Sequence, residues 1–540
     1  MNDHVGVATG CVPPNVIFIM SDDHAAHAIS SYGSDLVATP NIDRLANEGL
    51  RFDAAFCTNS ICTPSRAVIL TGQHSHRNGV KTLNDVLDNS RTTFPMLLQQ
   101  SGYQTAMIGK WHLGHGPSSD PRGFDHWEVL PGQGRYFDPE FITEDGLHTR
   151  PGYVTDVVTD LALDWLRHRD PAKPFALMCH HKAVHSPWEP DEAHSAIFAD
   201  LDLPDPATLW DDYTGRPAGA SAVRMRVESM PPQYVKQLPD PELDETETLR
   251  WWTSRVDPPS LADRRWKYQA FLRDYLRCAA SIDDNVGRVL DYLDQAGLAN
   301  NTIVIYTSDQ GFFLGDHGWY DKRFMYDESL RIPFIMRWPA GIAPGSVVNA
   351  LVTNADFAPT ILDLAGVTQP DWMQGRSFAS LLSGATPPDW QEAIYYRYWM
   401  HPNDHDVPPH YGVRTRQHKL VHFDASAFRG QAANQPQGEW ELFDLESDPH
   451  ELRNVYDDPA YQLVRAHLHQ ELDRLRHQLG DTEDYPQPPE LTVGHGPNDP
   501  RATPDRVDQL AGLERAKVRS RQGVLDAGSL PASLPGGSDD

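Results

Sequence analysis

The chain has 540 residues, a formal net charge of −29 and five cysteines. That length exceeds one small core and predicts a large domain plus a smaller one, and the acidic balance excludes nucleic acid as a partner, because neutralising phosphates needs a basic surface. Cys11, Cys57, Cys62, Cys179 and Cys278 form an odd, sparse set without paired metal-ligand spacing, which excludes a disulfide framework and a zinc finger.

The first residues, MNDHVGVATGCVPP, have no basic start and no apolar run, so they do not read as a signal peptide. No stretch of about eighteen apolar residues occurs, so no membrane helix is predicted, and the expectation is a cytoplasmic protein. Val16 to Met20 reads as a buried strand. Thr39-Pro40 opens a helix through Asn47 that stops at Gly49, and a helix from Ser65 to Leu70 carries Cys62 at its mouth, with Pro64 in its first turn. Thr93 to Gln100 is a further helix. Strands follow at Gln104 to Ile108, Phe175 to His180, Thr302 to Thr307 and Ile332 to Arg337, interleaved with helices near Thr155 to Arg169, Leu261 to Gln295 and Phe357 to Leu364. This alternation predicts an α/β domain with a central, largely parallel sheet over residues 1–385. Residues 201–260, rich in proline and acid, read as a surface insertion bordering the substrate pocket. Over 386–480, short alternating segments at Ala393 to Trp399, Tyr411 to Phe423 and Glu439 to Asp444, then a helix from Pro459 to Gln478, predict a small antiparallel sheet with one helix. Residues 481–540 read as an extended or disordered tail with a short helix over 505–519.

Cys62-Thr63-Pro64-Ser65-Arg66 joins a single cysteine to a helix start, where backbone N–H groups and the helix dipole favour an anion and Arg66 adds a bidentate grip on sulfate or phosphate. An ordinary half-buried thiol is the alternative. Cys57 reads as a small core residue. Asp22-Asp23 follows one strand, and Ser308-Asp309-Gln310 ends another, so both place acids at the carboxyl edge of a parallel sheet, where α/β domains keep their sites. A solvated turn is the alternative for either; together they make a hard-oxygen set suited to calcium or magnesium rather than zinc. Gly109-Lys110-Trp111-His112-Leu113-Gly114 and His181 to Pro187 put further cations and imidazoles on strand-end loops, as does Gly315 to Lys322. A basic pocket of Arg66, Lys110, His112 and Lys322 inside an acidic protein suits an anionic substrate.

The pentad with AVILTG after it, the paired acids, GKWHLG and the later blocks resemble the type I sulfatases, in order across most of the chain. The resemblance implies an alkaline-phosphatase-like fold and oxidation of Cys62 to formylglycine by a formylglycine-generating enzyme. It also implies calcium, with magnesium as its substitute, on Asp22, Asp23, Asp309, Gln310 and the modified Cys62; many family members carry Asn where this chain has Gln310. By the same resemblance Arg66, Lys110 and Lys322 hold the sulfate and Cys62, as an aldehyde hydrate, attacks sulfur. Asp309 takes the hydrate's proton, His185 or His317 protonates the departing alkoxide, and His112 serves as the base that restores the aldehyde. For His317 a loop histidine bonded to backbone is the alternative. The family has proline where Val184 stands.

Gly123 to Gly134, Tyr136 with Phe137-Asp138-Pro139, Tyr395 to Trp399, His405 and His410 to Thr415 resemble bacterial N-acetylglucosamine-6-sulfatases and related mucin- or glycosaminoglycan-desulfating enzymes. This implies a sulfated sugar as substrate, N-acetylglucosamine 6-sulfate first, with Tyr136, His405 and His410 as sugar contacts. A phosphonate monoester or phosphodiester hydrolase of the same superfamily is one alternative function. A non-catalytic sulfated-glycan-binding protein is the other.

Overall fold

A computed structural model describes residues 13–482, apart from 200, 218, 221–222, 231–233, 235–260, 402, 404 and 425–437. Cys11, most of the second half of the insertion, and the tail with its helix over 505–519 lie outside the described residues. The large sheet has ten strands: β1 (Asn15–Ser21), β2 (Leu50–Phe52), β3 (Gln104–Lys110), β4 (His126–Leu130), β5 (Glu140–Thr143), β6 (Gly146–Thr149), β7 (Phe175–His180), β8 (Thr302–Ser308), β9 (Phe334–Arg337) and β10 (Ser346–Val348). Their spatial order is β10-β2-β9-β8-β1-β7-β3-β4-β5-β6. The middle run β8-β1-β7-β3-β4 is parallel throughout, whereas β9 and the hairpin β5-β6 pair antiparallel. The central strands are buried on both faces, which is why they read as near-continuous apolar runs. Helices cover the sheet: α1 (Pro40–Asn47), α2 (Cys62–Thr71), α3 (Phe94–Gln100), α4 (Val154–His168), α5 (Leu261–Gln295) and α6 (Phe357–Leu364).

Five strands, β2, β4, β5, β6 and β10, were not expected from the sequence. Three to five residues long, they lie toward the flanks of the sheet, where pairing with a neighbour rather than apolar patterning defines a strand. β9 starts at Phe334 instead of Ile332 because Pro333 has no N–H to give the ladder. The insertion is less superficial than its composition suggests, since Leu203, Leu209, Tyr213 and Met225 join the main core.

The second sheet comprises β11 (Ala393–Tyr398), β12 (His410–Thr415), β13 (His418–Phe423) and β14 (Glu439–Asp444), paired antiparallel in that order. The segment expected as one strand from Tyr411 to Phe423 is two, folded at Arg416 and Gln417. Alternation gives this sheet two buried faces. Tyr395, Val413, Leu420 and Leu442 pack under α7 (Gln462–Leu479) with Leu468 and Leu472, while Ile394, Tyr396, Tyr398 and Phe443 extend the main core.

Asp481, just past α7, fastens the helix to this sheet. Its buried carboxylate accepts from Tyr395 Oη at 2.7 Å and from Arg397 Nη1 at 2.5 Å. Asp481→Ala leaves the Arg397 charge buried without that partner, and is expected to lower unfolding stability by about 3 kcal/mol. Urea denaturation followed by tryptophan fluorescence checks this; a midpoint equal to that of the parent would show the contact to be dispensable.

Candidate active site

The register of the parallel strands builds the site. Ser21 is opposite Ser308, Met20 opposite His180, and His180 opposite Gly109, so the four segments that follow β1, β8, β7 and β3 emerge side by side at the carboxyl edge. Gly109 permits the closest approach: at φ +99° it adopts a conformation open to glycine, and a Cβ there would lie 1.9 Å from the His180 carbonyl oxygen. Lys110 therefore turns in beside β7. Helix α2 enters from below the edge with all ten residues buried, Cys62 in its first turn and no side-chain cap. The N-terminal end of such a helix, positive by its dipole, is suited to an anion.

Asp22, Asp23 and Asp309 each place a carboxylate oxygen within 4.8 Å of the other two, all of them buried. Cations surround them. Lys110 Nζ donates to Asp22 Oδ2, Lys322 Nζ donates to Asp23 Oδ2 at 2.7 Å, and Arg66 Nε donates to Asp309 Oδ2 at 2.9 Å. Burial raises the pKa of every carboxylate here, and the neighbours decide the net result. Lys110, His185 and Arg66 hold Asp22 well below the ordinary range. Asp23 is pushed up to about 6 by burial, against Lys322 and with Asp22, and Asp309 to about 8 by burial and then Asp22. Two oxygens, Asp22 Oδ1 and Gln310 Oε1, are buried without a hydrogen-bond partner. Like-charged carboxylates held together with orphaned oxygens are the donor set of a hard divalent cation, so these residues fit calcium or magnesium.

Cys62 Sγ, Asp22 and His185 form a second close group within the same 4.8 Å limit. Burial, then Asp22, raises the Cys62 thiol far above its ordinary value, so it stays protonated. His185 has its Nδ1 2.7 Å from the Ser186 carbonyl and its Nε2 3.8 Å from Asp23 Oδ2, and burial followed by Lys110 lowers its pKa well below the ordinary value. His112 Nδ1 lies 3.5 Å from Thr63 Oγ1 beside the Cys62 turn. A cavity of about 290 Å³ opens over Cys62 and Asp23, lined also by Gln133, Lys182, His185, Asp321, Lys322, Arg323 and His405.

The family described as Sulfatase matches residues 14–367, and that described as N-sulphoglucosamine sulphohydrolase, C-terminal, matches residues 315–478. The chain belongs to the sulfatase family. An N-acetylglucosamine-6-O-sulfatase of Bacteroides thetaiotaomicron is 44% identical over 502 residues, 87% of each chain. A solved structure of BT4656 in complex with its substrate, D-glucosamine-2-N,6-O-disulfate, is 43% identical, covers 87% of this chain and 99% of its own, and superposes with a TM-score of 0.80. A phosphonate monoester hydrolase of Agrobacterium radiobacter, 21% identical with a TM-score of 0.65 over 86% of this chain and 96% of its own, shares the fold alone. The chain is thus an enzyme of sulfuric ester hydrolysis with the alkaline-phosphatase-like fold, and the non-catalytic reading falls.

In this sulfatase Cys62, Arg66, Lys110, His112, His185, Lys322, Asp22, Asp23, Asp309 and Gln310 converge on one buried centre. His405 joins the cavity wall with Nε2 2.6 Å from Asp321 Oδ2. Three candidates sit elsewhere. Tyr136 is buried behind the wall, its hydroxyl donating to the His185 carbonyl at 2.8 Å and its ring under the Lys182 ammonium at 4.6 Å. It supports the wall and does not itself line the cavity. His410 is stacked between Tyr396 and Tyr398, ring centroids 5.6 and 5.4 Å away, in the core.

His317 is also withdrawn from the cavity, at the centre of a buried ionic network, with Nδ1 3.2 Å from Asp211 Oδ2 and Nε2 3.8 Å from Glu328. Arg216 links the same Asp211 to the Tyr326 hydroxyl, which donates to Glu441 of β14. Burial alone would lower the His317 pKa, but Asp211 and Glu328 outweigh it and hold it at about 9. A raised imidazolium contributes stability that is fully present below its unfolded value of about 6.5 and is lost as pH rises through about 9. His317→Gln is therefore expected to flatten the stability profile between about pH 6.5 and 9, by up to about 3 kcal/mol across the window. Urea midpoints of both proteins across that range check it; parallel profiles would refute it.

Lys182, Asp321, Arg323 and Gln133 were not singled out by the sequence, although each lies within or beside a block that was. Asp321 and Arg323 flank Lys322, and both have positive φ, 78° and 89°, a conformation that turns three consecutive charged side chains toward one wall. Among the described residues no helix is long and apolar enough to cross a membrane.

Proposed function

We propose that this sulfatase releases the 6-sulfate of N-acetylglucosamine 6-sulfate or of a closely related sulfated glucosamine, with residue 62 converted to formylglycine by a formylglycine-generating enzyme and a divalent cation on Asp22, Asp23, Asp309 and Gln310. The observation that carries the reading is the convergence of Cys62, three carboxylates and Arg66, Lys110 and Lys322 under one small cavity, in a chain whose 44% identical relative bears that substrate in its name. Calcium or magnesium, when bound, supplies positive charge that polarises the sulfate ester. An aldehyde hydrate at position 62 would supply one hydroxyl for attack on sulfur and a second through which the product sulfate is expelled, which a thiol lacks.

The chain's own residues do the rest. Lys322 lines the cavity and Lys110 is buried beside Asp22, each anchored on a carboxylate, and with Arg66 they hold sulfate oxygens and offset the charge that grows as the ester bond breaks. His185, oriented through Nδ1 by the Ser186 carbonyl, presents Nε2 toward Asp23 and the cavity, where the negative charge of a bound sulfate ester favours its imidazolium form and the Nε2 proton passes to the departing sugar oxygen. His112, beside the first turn of α2, is placed to accept a proton from residue 62 in the second half of the cycle.

The test is sulfate release, followed by ion chromatography, from N-acetylglucosamine 6-sulfate, N-acetylgalactosamine 6-sulfate and an aryl phosphonate monoester, using protein co-produced with the oxidising enzyme and with the aldehyde confirmed by peptide mass. Preference for the first substrate supports the reading. Preference for the phosphonate, or for the galactosamine sugar, overturns it.

A further inference from the structure

Lys182 differs from the other cations at this site. Lys110 pairs with Asp22, Lys322 with Asp23 and Asp321, Arg66 with Asp309, and Arg323 with Asp321. Lys182 lines the same cavity and is almost wholly buried, yet among the described residues no carboxylate lies within 4.0 Å of its ammonium. Its partners are neutral: the Ser186 carbonyl at 3.3 Å and the face of Tyr136, 4.6 Å from the ring centroid. Tyr136 in turn donates to the His185 carbonyl, so the ammonium is held in fixed relation to the catalytic loop and is not free to snorkel into solvent. Burial, then Lys110, pushes Lys182 down to about 8. A buried, unpaired charge at neutral pH is unfavourable until an anion arrives to offset it.

Elsewhere the wall is built in the opposite way. Asp321 is shared by Lys322, Arg323 and His405 at 3.2, 3.1 and 2.6 Å, so each of these side chains already has a carboxylate partner and presents its remaining polar edge to hydroxyl groups. With Arg66, Lys110 and Lys322 committed to the sulfate that is cleaved, Lys182 remains as a positive charge available to another part of the substrate.

Resting on the function proposed above, we propose that Lys182 is a specificity residue that receives a second anionic group of the substrate, an N-sulfonate on the glucosamine ring, and so ranks the doubly sulfated sugar above the N-acetylated one. The contact is a charge-assisted hydrogen bond from Nζ to a sulfonate oxygen, and it leaves the 6-sulfate to the catalytic floor.

The experiment measures kcat and KM for release of the 6-sulfate from glucosamine-2-N,6-O-disulfate and from N-acetylglucosamine 6-sulfate, with the parent enzyme, Lys182→Met and Lys182→Arg. The parent is expected to favour the disulfate by about tenfold in kcat/KM, the range of one charge-assisted hydrogen bond. In Lys182→Met that ratio should collapse toward unity through a higher KM for the disulfate, and Lys182→Arg should restore part of it. A ratio that survives Lys182→Met, with both substrates losing activity together, overturns the proposal and assigns Lys182 to the cleaved sulfate or to the fold. A parent that prefers the N-acetylated sugar also overturns it while leaving the function standing. A parent with a confirmed aldehyde that cleaves neither sugar overturns the function itself.

Discussion

Cys62→Ala is expected to lower sulfate-ester turnover by about 10⁴-fold or more, the scale on which loss of a covalent nucleophile is felt, while leaving the fold intact. Protein that keeps its unmodified thiol should be equally inactive. In the structure Cys62 is 1% exposed, and burial with Asp22 beside it holds the thiol protonated; a neutral thiol is a poor nucleophile, and a Cβ that carries only sulfur has no second hydroxyl for expelling product. The measurement is turnover of one preparation divided into thiol and aldehyde forms by peptide mass, with Cys62→Ala as the floor. Substantial turnover by the thiol form would remove formylglycine from the mechanism. Circular dichroism and the thermal midpoint should scarcely distinguish the alanine variant, because Sγ has one described partner, Gln310 Nε2, at 3.8 Å.

The second large effect concerns the carboxylate cluster. Stripping divalent cations with a chelator is expected to abolish activity and to lower the thermal midpoint, and calcium should restore both. A ligand that binds the folded chain alone stabilises it by about 2.7 kcal/mol at a hundredfold excess over its Kd. The physical origin is visible in the shifted acids: Asp23 and Asp309 are raised to about 6 and 8 because burial and mutual repulsion penalise their charges, and a bound cation reverses that penalty. Asp309→Asn removes one ligand charge and the Arg66 partner together, so the calcium-dependent rise in midpoint should shrink sharply in that variant. A midpoint indifferent to both chelator and calcium would leave Asp22, Asp23 and Asp309 as a closed ion-pair network with Lys110, Lys322 and Arg66.

Much of this centre was legible in the chain because its residues stand immediately after strands. Asp22 and Asp23 follow Val16 to Met20, Asp309 follows Thr302 to Thr307, and the chemistry of a parallel sheet is found at such edges. The cavity wall was harder to read. Lys182, Asp321 and Arg323 gain their meaning from loops that approach one another across the sheet, and spacing along the chain does not record that approach. Tyr136 and His410 were misplaced for a related reason. Aromatic and imidazole rings at strand spacing are equally at home in a core, and the stacking of His410 on Tyr396 and Tyr398 is set by the pairing of β11 with β12. His317 was ambiguous from the start; its fate depended on Asp211, more than one hundred positions earlier, in a segment whose proline-rich composition hid its packing. The small sheet could be recognised from its alternation, although the bend at Arg416 that divides β12 from β13 carries neither glycine nor proline to announce it.

The central pairing of β1 with β8 has a consequence in time. Ser21 and Ser308 are neighbours in the folded protein, but a ribosome adds only about 5–20 residues per second, so many seconds separate their synthesis. Through that interval β1 has no partner on one side, Asp309 has not been made, and the floor that seals Cys62 is incomplete. The sulfur of Cys62, 1% exposed in the folded protein, is open to solvent through that interval.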